Sequence, residues 1–114
     1  MSAGKYNIEI ESGSAFSLEL IWNDNEQNPM NLENYEAHIQ IRDCVGGKLL
    51  AEVSTTTRDI TLDREGRIFI EIPGEATQGK NAKAVWDLLL ISPTGERTRL
   101  VEGKAILERG VTEI

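Results

Sequence analysis

Residues able to do chemistry are few in this 114-residue chain, and their spacing does not assemble them. A catalytic nucleophile needs a base beside it and a third group to orient that base. The single histidine, His38, falls on the polar phase of an alternating run, between Ala37 and Ile39, which is the position of a solvated side chain. The single cysteine, Cys44, stands next to Gly46 and Gly47 and reads as a free thiol in a turn. No Cys–His–Asn set emerges, no zinc spacing is present, and a lone cysteine excludes an intramolecular disulfide. The glycines fit neither phosphate-cradling pattern, Gly-x-Gly-x-x-Gly nor the P-loop, so Gly46, Gly47 and Gly66 read as turn residues.

Carboxylates gather at two loops. Asp24 and Glu26, with Asn23, Asn25 and Asn28, carry oxygens suited to calcium, but the glycine and closing glutamate of an EF-hand loop are missing. Asp59, Asp63 and Glu65 form the second group. Both read as solvated loops, so no metal or other cofactor is expected, and nothing fixes the carboxylate separation that glycoside hydrolysis requires. Trp22 and Trp86 could stack on a sugar. Each, however, shares a phase with apolar neighbours: Trp22 with Phe16, Leu18 and Leu20, and Trp86 with Leu88 and Leu90. Both read as core residues. The chain reads as a non-enzyme.

The elements that position these residues are short and alternating. Tyr6, Ile8 and Ile10 predict a first strand, and Phe16 to Trp22 a second. A polar loop of about a dozen residues follows, with Leu32 as its apolar plug. Tyr35, Ala37, Ile39 and Ile41 share the face of a third strand. Short strands are predicted at residues 49–53, at Ile60 and Leu62, and across Ile68, Ile70 and Ile72. The stretch 74–83 reads as a loop or a single helical turn. The centre of the core is the segment 84–107. There an apolar run, residues 85–91, ends in Ser92-Pro93-Thr94-Gly95 and returns through Leu100 and Val101 as a hairpin. Being apolar on nearly every residue, its first arm should be buried on one face and partly covered on the other. About eight strands with regular turn signals and no helical period predict a single domain, residues 1–114. The fold class is an all-β, antiparallel, immunoglobulin-like β-sandwich of about 7–9 short strands, with a small closed barrel as the structural rival. Phe16, Trp22, Ile39, Ile70, Trp86, Leu88 and Leu90 should lie between the sheets.

Charge and hydropathy narrow the partners. Nineteen acidic residues against 12 basic give a net charge of −7, which repels a phosphate backbone and suits a basic protein surface. No nucleic acid is expected. No apolar run approaches the ~20 residues of a membrane span, and the first residues lack the apolar core of a signal peptide, so neither a membrane partner nor export is expected. Ile21, Phe69, Val85, Leu89 and Ile91 break the alternation on faces where polar residues would stand. Exposed together they would form a docking patch; otherwise they are the second buried face of central strands or a small satellite cluster. Phe69, Leu89 and Ile91 are the candidate face patch. Residues 108–114, with Val111 and Ile114, are the candidate docking tail, a β-prone strand that could be donated to a partner.

Three stretches carry a family resemblance: YNIEIESGSAFSLELIW, YEAHIQIRD and VWDLLLISPTGERTRLVEGKAIL. Together they resemble small β-sandwich proteins of tailed-bacteriophage structural modules, and are similar to the immunoglobulin-like N-terminal domain of phage baseplate upper proteins. Tyr6, Ile8, Gly13, Phe16, Trp22, Tyr35, Ala37, Ile41, Arg42, Asp87, Leu88, Glu102 and Gly103 match the pattern, and Trp86 stands where that family has tyrosine. The resemblance implies a virion component of the neck or collar, tail, baseplate or fibre base. Such a protein is made in the host cytoplasm and docks in multiple copies on other phage structural proteins, with a homo-oligomer on the particle as a second kind of partner. A carbohydrate-binding adhesion module on the particle is the alternative function.

Overall fold

The structure, a computed structural model, describes residues 3–112. Its largest unit is the expected hairpin. Strand β8 (Ala82–Ile91) turns at Ser92 and returns as β9 (Arg97–Arg109). Gly95 N–H donates to the Ser92 carbonyl at 2.9 Å and Ser92 N–H to the Glu96 carbonyl at 2.8 Å. Gly95 takes φ 92°, a left-handed value that glycine reaches without steric penalty. On its other edge β8 pairs with β4 (Glu36–Arg42), and β4 with β5 (Leu49–Ser54). Flanked on both sides, β8 alternates buried and half-buried residues along nearly its whole length, which is why its sequence is apolar on both phases.

The first strand is broken into β1 (Gly4–Lys5) and β2 (Ile8–Ser12), both paired with β9. The facing sheet holds β3 (Phe16–Ile21), β7 (Arg67–Ile72) and β6 (Ile60–Leu62), in the order β3-β7-β6. One helical turn, α1 (Gly74–Thr77), links β7 to β8. The wide sheet runs β1/β2-β9-β8-β4-β5. A three-stranded sheet of second, fifth and sixth units facing a sheet closed by the last hairpin is the immunoglobulin-like strand arrangement, so the chain is an immunoglobulin-like β-sandwich.

Three expectations change. The sandwich is not wholly antiparallel, because β1 and β2 run parallel to β9. The turn at Gly13 crosses to the opposite sheet instead of closing a hairpin, which leaves the first strand to pair with the last. Tyr6, expected on the inward face, is 44% exposed. It lies at the break between β1 and β2, where its carbonyl accepts the Trp86 indole N–H at 2.9 Å and the Asn7 side chain accepts Lys104 N–H at 2.9 Å in place of a backbone carbonyl. Gly103, opposite Trp86 on β9, permits this approach: a Cβ there would lie 2.0 Å from the Tyr6 oxygen. Finally, Ile39, Ile70, Trp86, Leu88 and Leu90 are buried, but Phe16 and Trp22 are only half-buried against the core. Phe16 sits on β3, which among the described residues has a neighbour on one side only, and Trp22 follows directly after it.

The long polar loop is built as an ordered connector. Asp24 Oδ1 accepts the N–H groups of Glu26 and Asn28, Asn31 Oδ1 accepts that of Glu33, and Leu32 plugs the core.

Candidate docking surfaces

Because strand residues alternate between faces, each sheet turns one set of side chains outward. On the wide sheet the outward set of β8 includes Val85, Asp87, Leu89 and Ile91. Leu89 lies opposite His38 on β4 and Arg99 on β9, and Ile91 lies opposite Glu36 and Arg97. Both are half-buried. Two side-chain pairs flank them: His38 Nε2 lies 3.5 Å from Glu36, and Arg99 Nε donates to Asp87 at 2.9 Å. Further along this sheet a groove of about 430 Å³ runs past Gln40, Val85 and Asp87 towards Lys5 and Glu102, themselves paired at 2.9 Å. Arg42 beside it is held by the Gln40 side-chain oxygen and the Gly47 carbonyl.

On the narrow sheet Phe69 points outward, 40% exposed, between Glu19 of β3 and Thr61 of β6. Arg67 lies 6.0 Å from the centre of the Phe69 ring and is anchored by Asp63 at 2.8 Å. Ile21, opposite Arg67, is 62% exposed. The expected single patch of Phe69, Leu89 and Ile91 is therefore split. Leu89 and Ile91 share one face, and Phe69 belongs to the opposite outer face together with Ile21. Alternation shows that a residue points out of its sheet but does not show which sheet it belongs to. Arg67, two residues before Phe69 on the same strand, was the unread signal on that face.

Val111 is fully exposed, and Ile114 lies outside the described residues. The docking tail expected over 108–114 begins inside a strand: Glu108 and Arg109 still belong to β9, paired with Glu11 and Ser12.

The remaining chemical candidates are placed as follows. Cys44 is exposed, and its thiol is held above its ordinary pKa first by a hydrogen bond to the Asp43 side chain and then by that carboxylate's charge. Desolvation, the largest single influence on Asp63, pushes its carboxyl up. The N–H groups of Arg67 and Glu65, followed by the Arg67 guanidinium, outweigh it and hold the carboxyl below its usual value. The acidic oxygens at Asp24 and Asp63 thus serve the turns that carry them. Among the described residues no three His, Cys, Asp or Glu side chains converge as a metal site would require. Trp86 is buried and Trp22 meets Tyr35 edge-on at 6.3 Å, so the two tryptophans form no joint platform. No helix among the described residues is long and apolar enough to cross a membrane.

No family model matches the chain, and no curated protein matches it. Among solved structures it is similar to Drosophila OTK, extracellular domains 3-5, at 18% identity and a TM-score of 0.30. That match covers 93% of this chain and 33% of the other, so this chain spans about a third of that structure. The class stated above, an immunoglobulin-like β-sandwich domain, rests on the strand order.

Proposed function

We propose that the domain is a non-enzymatic structural component of a tailed-phage virion, docked in multiple copies on a larger symmetric assembly of the neck, tail, baseplate or fibre base. The observation that carries the docking reading is the presence of apolar side chains on both outer faces of one thin sandwich: Ile21 and Phe69 on one side, Leu89 and Ile91 on the other. A domain with two apolar faces can be contacted from two sides, as a subunit within a ring or collar must be. In such an assembly each contact can be weak, because multivalency multiplies modest affinities. The virion assignment is supported by the resemblance of the three sequence stretches to phage structural modules.

The test is incorporation into particles. Leu89→Glu and Phe69→Glu variants are first checked by circular dichroism for a retained fold, then scored for copy number per particle. Loss of incorporation by either folded variant is expected. Normal incorporation of both would remove these faces from the interface, and intact, infectious particles lacking the protein altogether would overturn the structural role.

A further inference from the structure

The narrow sheet ends at β3 with one side of the strand unpaired among the described residues. β3 bonds to β7 in the register Phe16 to Ile72, Leu18 to Ile70 and Leu20 to Ile68. On the far side of β7, Glu71 N–H donates to the Asp59 carbonyl and Asp63 N–H to the Arg67 carbonyl. The odd-numbered residues of β7 therefore address β6, and Ile68, Ile70 and Ile72 address β3. Their partners Phe16, Leu18 and Leu20 turn their backbone groups inward to β7. By the same alternation Ser17, Glu19 and Ile21 present N–H and C=O groups to an open edge.

This edge lacks the usual defences. β3 has six residues, contains no proline, glycine or lysine, and carries one charge, Glu19. The other edges are protected: β6 has three residues, β5 meets β4 through a register shift near Arg42, and β2 carries two carboxylates, Glu9 and Glu11. The inward side chains beside the edge are also unfinished. Phe16, Leu18 and Leu20 are half-buried, whereas Ile68, Ile70 and Ile72 across from them are buried. The seam has room for one more strand.

The surrounding charge indicates what kind of strand. The outer-face hollow next to β3, about 520 Å³, is lined by Glu19, Asp59 and Glu71 against one guanidinium, Arg58. Glu19 has no ion pair among the described residues. A second copy would bring another Glu19 to the same edge and another charge of −7 to the same contact.

We infer that β3 is the receptor edge for an extended segment of a partner protein, added as a fourth strand. The segment carries a lysine or arginine opposite Glu19 and apolar residues over Leu18 and Leu20. Backbone bonds to Ser17, Glu19 and Ile21 supply affinity, and the basic residue selects the partner. This deepens the docking reading and rests on it in taking the occupant to be another protein.

The test uses amide hydrogen exchange on the whole chain with a capped peptide, Thr-Val-Lys-Val-Lys-Val-Thr, and its counterpart with glutamates in place of lysines. The lysine peptide should slow exchange at Ser17, Glu19 and Ile21 by about tenfold or more, the glutamate peptide should not, and Glu19→Lys should exchange the two preferences. Protection at another edge, or at none with millimolar peptide, would overturn the proposal. Concentration-dependent protection of the same amides without peptide would also overturn it, by making a second copy the occupant. The peptide measurement is independent of particle incorporation, so this edge can fail while the docking role stands, and the reverse.

Discussion

The two sheets share one core but close it unequally. In the wide sheet β8 has β9 and β4 as neighbours, and Ala84, Trp86, Leu88 and Leu90 are buried. In the narrow sheet β3 alternates just as cleanly, yet Phe16, Leu18 and Leu20 stay only half-buried because one side of the strand has no neighbour among the described residues. Alternation in sequence reports which way a side chain points. The place of the strand in its sheet decides how completely that side chain leaves water.

The comparison can be broken at its extremes. Leu88→Ala should destabilise the fold by about 2–5 kcal/mol, because it opens a cavity that the flanking strands cannot close. Leu18→Ala should lose only about 1–2 kcal/mol, since part of that side chain already meets water. Denaturant titration of both variants checks this, and equal losses would mean that β3 is covered in solution.

Gly103→Ala probes the wide sheet from its rim. The new methyl would drive into the Tyr6 carbonyl, and an overpacked contact of this kind costs about 1–3 kcal/mol. The expected result is a lower melting temperature with a changed near-ultraviolet signal from Trp86, whose indole N–H donates to that carbonyl. An unperturbed signal would show that the N-terminal strand yields freely.

The smallest effect belongs to the β6–β7 turn of the narrow sheet. Asp63 has a lowered folded-state pKa, so its contribution is fully present above the unfolded carboxylate value of about 3.9 and is lost as pH falls through the folded value. Asp63→Asn should remove that part of the acid limb and leave a shallower fall of stability below about pH 4. An unchanged acid limb, followed by urea unfolding across pH, would show that the turn's hydrogen bonds do not depend on the charge.

Much of the fold was legible because the strands bury one phase. Ile68, Ile70 and Ile72, Leu88 and Leu90, and the plug Leu32 all announced themselves by position. What stayed illegible depends on partners distant in the chain. The pairing of Ile8 with Ala105 and the exposure of Tyr6 are set by which strand lies beside which, and local periodicity carries no trace of that. The candidate surfaces suffered most. Phe69 and Leu89 look alike in sequence, each an apolar residue on a polar phase, and only the division of strands between sheets separates them.

The parallel pairing of the first and last strands also governs how the domain bears load. Tension applied between Gly4 and Arg109 pulls β2 and β9 past each other along their length. The bonds joining Ile8 through Ser12 to Ala105 through Arg109 are then strained together. Strands peeled from one end part bond by bond, whereas strands sheared lengthwise must break the ladder as a unit. Such tethering makes resistance to pulling a matter of unfolding rate rather than of equilibrium stability.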